Sequence, residues 1–213
     1  MSDLESILGV SRRNFLLVAH RARTDDGIQL NDLCGASGRW DGVSRAITSA
    51  LFLSHDMRRD TSIHVLLLGP PDPPKLLSID GGKVKYLNPD ERASSALMRK
   101  CLAQPLDVGM GASNQPSPGI SIIRSDLDSI LASFKGNLVL LDEDGVELEQ
   151  QLVGELPSDS MMFILSDDQN LSTEESSTIE KYTPFKCRLG DRVLHSHMAI
   201  SIVHYLLDRF MER

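Results

Sequence analysis

The strongest constraint on the fold of this chain is the alternation of short apolar runs with segments of helical periodicity. Buried strands are predicted at NFLLVAH, IHVLLLG, ISII, NLVLL, MMFIL and FKCRL. Amphipathic or capped helices are predicted between them: Arg39–His55, Pro89–Cys101, Asp126–Phe134, a helix from Thr173, and the closing segment Leu189–Asp208. Strands that alternate with helices predict an α/β protein with a mostly parallel sheet flanked by helices.

Two segments depart from this alternation. KLLSIDGGKVKYL alternates around Asp80-Gly81, which predicts a β-hairpin. Residues 103–119 are rich in Gly, Pro, Ser and Asn, so we expect a loop there that joins two halves of the chain.

Composition indicates in which compartment the protein acts and whether it has a membrane partner. Cys34, Cys101 and Cys187 are odd in number and widely spaced, which favours a reducing environment over disulfides or a Cys-rich zinc site. No apolar run reaches the roughly 20 residues of a membrane span. The first residues lack the apolar core of a secretory signal. We therefore expect a cytoplasmic protein without a membrane partner.

The net charge of −8 argues against a nucleic-acid partner, but the charge is unevenly distributed. Residues 1–102 have a balance of +2 and residues 103–213 a balance of −10. Arginines concentrate in the first half, and salt confines each patch to about 10 Å. A local basic face therefore remains compatible with the overall acidity.

Acidic and small residues follow three successive predicted strands. They are Asp142 to Gly145, Ser166 to Asp168, and Gly190-Asp191. Ligands of parallel sheets bind beyond the carboxyl ends of the strands, so these ends could surround a polar cofactor. Solvated acidic turns explain the same residues. The chain has neither GxGxxG nor GxxxxGK[ST], so a classical dinucleotide or nucleoside-triphosphate site is not supported.

The closing segment carries His195, His197 and His204 at the start of and along an apolar helix. His195 and His197 point to different faces, and no HExxH or CxxC accompanies them, so we predict no metal site. Structural roles are favoured for all three. The chain has no GxSxG motif, so hydrolase chemistry is not indicated.

Five blocks of the sequence carry a resemblance: LNDLCGASGRWD, SALFLSHDMRRD, LLGPPDPPK, YLNPDER and LGDRVLHSHMAISIVHYLLD. They resemble the archaeal tRNA pseudouridine N1-methyltransferase family, which belongs to the SPOUT class of S-adenosylmethionine-dependent RNA methyltransferases. The resemblance covers nearly the whole chain after about residue 14.

The resemblance implies one domain over residues 1–213, with a C-terminal trefoil knot, a flexible extension at 1–13 and 103–119 as the loop before the knot half. It implies a homodimer that methylates N1 of a pseudouridine, which is T-loop pseudouridine-54 of tRNA in the family. S-adenosylmethionine would be bound by three loops and the helix start that follows them: Leu141, Glu143, Gly145, Ser166, Asp168, Leu189, Gly190, Leu194, His195 and Ala199.

The cofactor motif departs from the family pattern at several positions. The family usually has Gly at Ser166. It has LGPxxLHADHC where this chain has LGDRVLHSHMA, which changes Asp191, His197, Met198 and Ala199. A side chain in place of Gly can obstruct a ligand that approaches the backbone closely.

The transferred methyl is electrophilic, so the reaction needs the nucleophile in line and a group that accepts the N1 proton. Asp41 and Asp60 are the candidate bases, because both lie beside arginines in the matching blocks. The candidate RNA contacts are Arg39, Arg58, Arg59 and Arg92.

The last helix places Ile200, Val203, Leu206, Leu207 and Phe210 on one broad face, which is consistent with a two-fold partner. Two other kinds of function remain open. One is a non-catalytic RNA-binding or assembly factor that retains the knotted fold. The other is a metabolic α/β enzyme, in which the early arginines would have no evident use.

Overall fold

The six strands predicted from apolar runs pair with two further strands into one eight-stranded sheet in the computed structural model, which describes residues 3–9, 11–154, 160–183 and 185–211. The strands are β1 (Arg13–Ala19), β2 (Thr61–Leu67), β3 (Lys75–Asp80), β4 (Ser113–Ser117), β5 (Ile120–Ile123), β6 (Asn137–Glu147), β7 (Met161–Ser166) and β8 (Phe185–Arg188). Their order across the sheet is β4-β5-β3-β2-β1-β7-β6-β8.

Five neighbouring strands of this sheet are parallel. β1 lies in the middle, with Arg13 opposite Thr61 of β2 and Met161 of β7, and β6 pairs with β7 and β8 in the same sense. β3, β5 and β4 complete the other edge through antiparallel pairings. The predicted α/β class is confirmed, and the parallel half carries the strand ends that were predicted to bind a ligand.

Seven helices cover the two faces of the sheet in the described part of the chain. They are α1 (Asp3–Leu8), α2 (Trp40–Leu51), α3 (Glu91–Leu102), α4 (Leu127–Ser133), α5 (Leu148–Gly154), α6 (Thr173–Glu180) and α7 (Ser196–Met211). α2, α3, α5 and α7 contribute to one apolar core, and α1, α4 and α6 to a second core on the opposite face. None of the described helices is long and apolar enough to cross a membrane.

Three local predictions differ from the structure. β3 pairs with β2 across the proline loop, so the predicted hairpin at Asp80-Gly81 is wrong. Gly81 instead packs against the chain before β2, where an added Cβ would lie 2.3 Å from the Arg58 carbonyl oxygen. The expected loop 103–119 contains β4, and the expected flexible extension contains α1, whose Leu8 is buried.

The apolar face predicted on α7 packs inside its own chain. Ile200, Val203 and Leu207 are fully buried, and Leu206 is 8% exposed. They belong to the core shared with α2 and the sheet, so this face does not require a second copy of the chain. The helix exposes other apolar side chains, Met198 and Tyr205, at 47% and 58% of their surface.

A buried histidine connects β1, β2 and β3 on the face opposite α7. His64 Nδ1 lies 2.8 Å from Ser78 Oγ, and its Nε2 lies 3.4 Å from Asn14 Oδ1. Complete burial lowers the pKa of His64 to about 3. An unfolded chain protonates this histidine near pH 6.5, but the folded protein keeps the ring neutral at that pH.

We expect His64 to destabilise the fold as the pH falls. A histidine that binds a proton only after unfolding, near pH 6.5, favours the unfolded state below that pH. At about pH 5 this amounts to about 2 kcal/mol. The His64→Gln variant should therefore lose about 2 kcal/mol less stability than the parent between about pH 8 and pH 5, measured by urea unfolding. Exposed His55→Gln is the matched control, and an equal loss in all three proteins would contradict the expectation.

Candidate active site

A cavity of about 320 Å³ opens at the carboxyl ends of β6, β7 and β8. Its walls are the bulged part of β6, the loops after β7 and β8, and the start of α7, so the turn expected after Leu141 is a bulge within the strand. Seven of the ten residues predicted to bind a cofactor line the cavity: Leu141, Glu143, Ser166, Leu189, Gly190, Leu194 and Ala199. Its size falls within the roughly 300–1,000 Å³ of small-molecule sites.

Gly145, Asp168 and His195 do not line the cavity. Gly145 lies where β6 bulges beside β8, and an added Cβ there would lie 2.6 Å from the Cys187 backbone. It is therefore needed for close approach of two strands. Asp168 turns away towards arginines, and His195 is exposed, with its ring stacked 5.8 Å from that of His197.

Hydrogen bonds join the loops of the cavity to one another. Ser196, the first residue of α7, donates from Oγ to the Ser166 carbonyl at 2.6 Å. The Ser166 hydroxyl donates to the carbonyl of Gln169 within its own loop. The Ser that replaces the usual Gly therefore closes a turn with its side chain, and Asp191, the other marked departure, is 90% exposed at its side chain.

The lining combines apolar and charged groups. Leu141, Leu165, Leu189 and Leu194 supply apolar surface, and the Asp142–Asp144 segment supplies carboxylates at one end. Gly190 has φ +97° and no atom within 4 Å of the position of a Cβ, so its backbone borders open space. Such a cavity fits a ligand with a flat apolar portion and a cationic or hydroxyl-bearing portion.

A chain of ion pairs leads from the cavity loop to α2. Asp168 accepts hydrogen bonds from Arg21 and, at 3.0 Å, from Arg39. Arg39 also donates from Nε to Asp41 at 3.0 Å, and Arg45 contacts the same carboxylate. Burial raises the pKa of Asp41, but the hydrogen bonds from Arg39 and Arg45 outweigh it and hold the pKa below its ordinary value.

Local backbone geometry explains how Arg21 and Arg39 meet. A Cβ on Gly38 would lie 1.8 Å from the Arg21 carbonyl oxygen, so only glycine permits this contact. Arg39 has a left-handed backbone, with φ 69°, which is uncommon for a non-glycine residue. The next residue, Trp40, is fully buried and fixes the start of α2.

The structure does not bring Asp60, Arg58 and Arg59 to the cavity of the same chain. Asp60 immediately precedes β2 and pairs with Arg13 at 3.2 Å, so it lies at the amino ends of the parallel strands. A strand of seven residues separates the two edges by about 20 Å. The block that contains these residues follows α2, and α2 carries the chain from one edge to the other.

The arginines of that block have structural partners. Arg58 donates to Asp208 of α7 at 3.0 and 2.6 Å, and Arg59 donates to the Gly81 carbonyl at 3.1 Å. Arg92 is exposed on the first turn of α3. Of the four predicted RNA contacts, Arg39 alone adjoins the cavity loops.

His20 and Arg21, which were not predicted as site residues, lie at the carboxyl end of β1. His20 Nδ1 is 2.8 Å from Asp167, a residue that lines the cavity. The rule that ligands bind beyond strand ends could have found both residues, because β1 is a parallel neighbour of β7.

The histidines of the closing segment have different environments. His204 is buried, lies 3.0 Å from the Ala50 carbonyl oxygen and packs edge-on against Phe15. Burial lowers its pKa to about 3, so it is a neutral core residue. Among the described residues, no cluster of three His, Cys, Asp or Glu side chains could hold a metal ion.

The sequence matches the model of one protein family over residues 12–211, the family described as "Putative SAM-dependent RNA methyltransferase". A tRNA (pseudouridine(54)-N(1))-methyltransferase of Methanosarcina mazei is 39% identical, with 92% of this chain and 91% of that protein covered. The enzyme of the same name from Methanopyrus kandleri is 37% identical, with the same 92% coverage of both chains.

One solved structure agrees in fold. Archaeoglobus fulgidus Nep1 bound to S-adenosylhomocysteine has a TM-score of 0.62, and the match covers 95% of this chain and 99% of that one. The two sequences are 14% identical, so this similarity concerns the fold alone. Together with the family match and the relatives, it shows that the chain belongs to the family of SAM-dependent RNA methyltransferases that contains the tRNA pseudouridine N1-methyltransferases.

Proposed function

We propose that this protein transfers a methyl group from S-adenosylmethionine to N1 of pseudouridine-54 in tRNA. The observation that carries the proposal is the cavity, because it is lined by the three segments that the family resemblance assigned to the cofactor. The names of the relatives support the substrate.

The residues present fit the cofactor. Leu141, Leu165 and Leu189 would contact the adenine ring of the cofactor. Glu143 and Asp144 would face the hydroxyl groups of its ribose or the ammonium group of its methionine part. The open backbone of Gly190 would allow close approach. When bound there, S-adenosylmethionine supplies an electrophilic methyl group. Neither Ser166 nor Asp191 fills the cavity, so no observation favours the non-catalytic alternative.

Asp41 is the better placed of the two candidate bases. Its ion pair with Arg39 connects it to the loop beside the cavity, whereas Asp60 lies at the other edge. With a lowered pKa, Asp41 is ionised but a weak proton acceptor. RNA phosphates that compete for Arg39 and Arg45 would raise its pKa and make it a better acceptor for the N1 proton.

The RNA would lie over the start of α2 and the start of α3. Arg39 adjoins the cavity loop, Arg45 reaches Glu91 at 3.4 Å, and Arg92 is the next exposed residue on α3. These three arginines would form the basic surface of the proposal, with Asp41 and Glu91 between them as the carboxylates that phosphates would displace. Phosphate contacts there would orient the substrate. Arg58 and Arg59 are less suitable, because their guanidinium groups hold Asp208 and Gly81.

The proposal includes the organisation implied by the family. The chain would form one domain whose last elements thread a trefoil knot around the cavity. The protein would act in the cytoplasm, where tRNA is available.

The proposal also includes a homodimer, through a surface different from the one that the sequence indicated. Met198, Ile202 and Tyr205 are spaced four and three residues apart on α7 and therefore share one face. Met198 and Tyr205 are exposed, and Val193 in the preceding loop is 80% exposed. A second copy related by two-fold symmetry would cover this apolar stripe.

We expect S-adenosylhomocysteine to raise the melting temperature of the protein, since a ligand that binds only the native state stabilises it. Gly190→Val should abolish the increase, because a β-branched side chain at φ +97° both strains and fills the loop. Gly111→Val is the matched control, since Gly111 has φ +86° and open space in a loop outside the cavity lining. If the parent shows no increase at millimolar ligand, the protein is a non-catalytic family member.

A comparison of Asp41→Asn with Asp60→Asn assigns the proton acceptor. We expect Asp41→Asn to reduce methyl transfer by about a hundredfold or more, the usual size of a general-base contribution. Its affinity for pseudouridine-containing T-loop RNA should not fall, because the change leaves Arg39 and Arg45 free for phosphates. Asp60→Asn should keep transfer within about twofold, because Asp60 lies at the opposite edge. Tritiated-methyl transfer and filter binding provide the two measurements. Full transfer by the Asp41 variant would mean that orientation alone drives the reaction.

Light scattering at micromolar concentration should show a dimer for the parent protein. Tyr205→Glu should give a monomer, because it places a charge in the apolar stripe of α7. Val108→Glu is the control, since Val108 is 90% exposed in the loop before β4, at the far end of the sheet. A monomeric parent would rule out the dimer.

A further inference from the structure

His20 lies between two carboxylates at the carboxyl end of β1. Its Nδ1 is 2.8 Å from Asp167 Oδ1, and its Nε2 is 3.1 Å from Glu175 Oε2. Its backbone N–H also donates to Asp167 Oδ2 at 2.8 Å. The ring is largely covered, with 16% of its surface exposed.

Both ring nitrogens of His20 face carboxylate oxygens, which only accept hydrogen bonds when ionised. A neutral imidazole has one N–H and would leave one carboxylate facing a lone pair. The imidazolium satisfies both. Burial lowers the pKa of His20, but the hydrogen bonds that its ring donates to Asp167 and Glu175 outweigh it and raise the pKa above its ordinary value.

The two carboxylates belong to one wall of the cavity. Asp167 lines the cavity and accepts a hydrogen bond from the Gln169 backbone at 3.0 Å. Glu175 forms the capping box of α6 with Ser172, and the following residue, Ser176, also lines the cavity. One ring therefore ties the end of β1 to both the loop after β7 and the first turn of α6.

The neighbouring charges complete the environment of His20. Asp167 from the end of β7 and Glu175 from α6 are the charged groups that face the ring in the described structure. Arg21, next along the chain, pairs with Asp168 on the other side of the same loop. The loop is thus held by a titratable contact on one side and by permanently charged arginines on the other.

We propose that His20 is a positioning residue whose imidazolium form holds the loop after β7 and the start of α6 in the shape that binds S-adenosylmethionine, so that its deprotonation weakens cofactor binding. The proposal rests on the proposed function, because it concerns the same cavity. His20 touches neither reacting atom and acts through Asp167 and Glu175.

The direction of the pH effect follows from the raised pKa. The contact is fully formed below the ordinary histidine pKa of about 6.5 and is lost as the pH rises through the higher pKa of folded His20. Loss of one charge-assisted hydrogen bond to the wall should weaken affinity about tenfold.

Calorimetric titration with S-adenosylhomocysteine at about pH 6 and about pH 8.5 tests the proposal. The parent should bind about tenfold more weakly at the higher pH. His20→Gln should bind about tenfold more weakly than the parent at the lower pH and should change little with pH. Exposed His55→Gln should behave like the parent, and it reports the ligand's own pH dependence.

Glu175→Gln provides a second variant that preserves the helix start, since glutamine also completes a capping box. It removes one of the two negative charges that face the His20 ring, which lowers the pKa of His20. The midpoint of the pH dependence should therefore move to lower pH. In methyl-transfer assays, His20→Gln should raise KM for S-adenosylmethionine about tenfold and leave kcat within about twofold, as expected for loss of uniform binding.

The outcomes separate this inference from the proposed function. If the parent binds the ligand equally at both pH values, or if His20→Gln retains the parent's pH dependence, His20 does not control the wall. If Glu175→Gln leaves the midpoint unchanged, the two-carboxylate contact is not responsible. If the parent binds no ligand at any pH, the proposed function fails instead.

Discussion

Two adjacent aspartates after β7 connect the loop that lines the cavity to β1 and α2. Asp167 is bound to His20 of β1, and Asp168 is bound to Arg21 and Arg39. Because β1 is the central strand and Arg39 starts α2, these contacts join the cavity loop to the most buried parts of the fold. Loops with few buried apolar groups are ordinarily the least stable part of a protein. Here charge pairs orient the loop, and Leu171 of the same loop packs against the apolar core.

The two edges of the sheet use arginine differently. At the amino edge, Arg13 is 1% exposed and contacts Asp60 and Asp208, and Arg58 contacts Asp208 as well. Removal of one partner of such a buried group is costly, so these arginines serve α7 and the sheet. At the carboxyl edge, Arg21 is half exposed and Arg39 28% exposed. Such pairs contribute little to stability and can exchange partners with a phosphate.

The sequence pattern predicted six of the eight strands as buried runs but missed β4, whose residues are turn-forming. The strand ends indicated where the cavity lies, because this depends on a general property of parallel sheets. The pattern could not predict which edge each arginine occupies. RWD and RRD look equivalent in sequence, yet α2 separates Arg39 from Arg58 by the length of a strand. The sequence also indicated the apolar face of α7. It could not indicate whether α2 or a second chain covers that face, because this depends on tertiary packing. The hairpin failed because Gly81 serves a close backbone approach instead of a two-residue turn.

The departures from the family motif separate into two groups according to where they lie. Asp191 and Met198 are exposed, so they alter the outer surface and leave the cavity unchanged. Ser166 and Ala199 line the cavity, but the Ser166 hydroxyl is bound within its loop, and Ala199 is small.

His197 belongs to neither group. Its pKa is lowered, first by burial and then by the nearby charge of Arg45. A neutral ring in place of the usual carboxylate removes a competitor for Arg45. Arg45 then has Asp41 and Glu91 as its acidic partners. The substitution therefore acts on the surface beside the cavity where the RNA is proposed to lie, and leaves the groups that line the cavity intact.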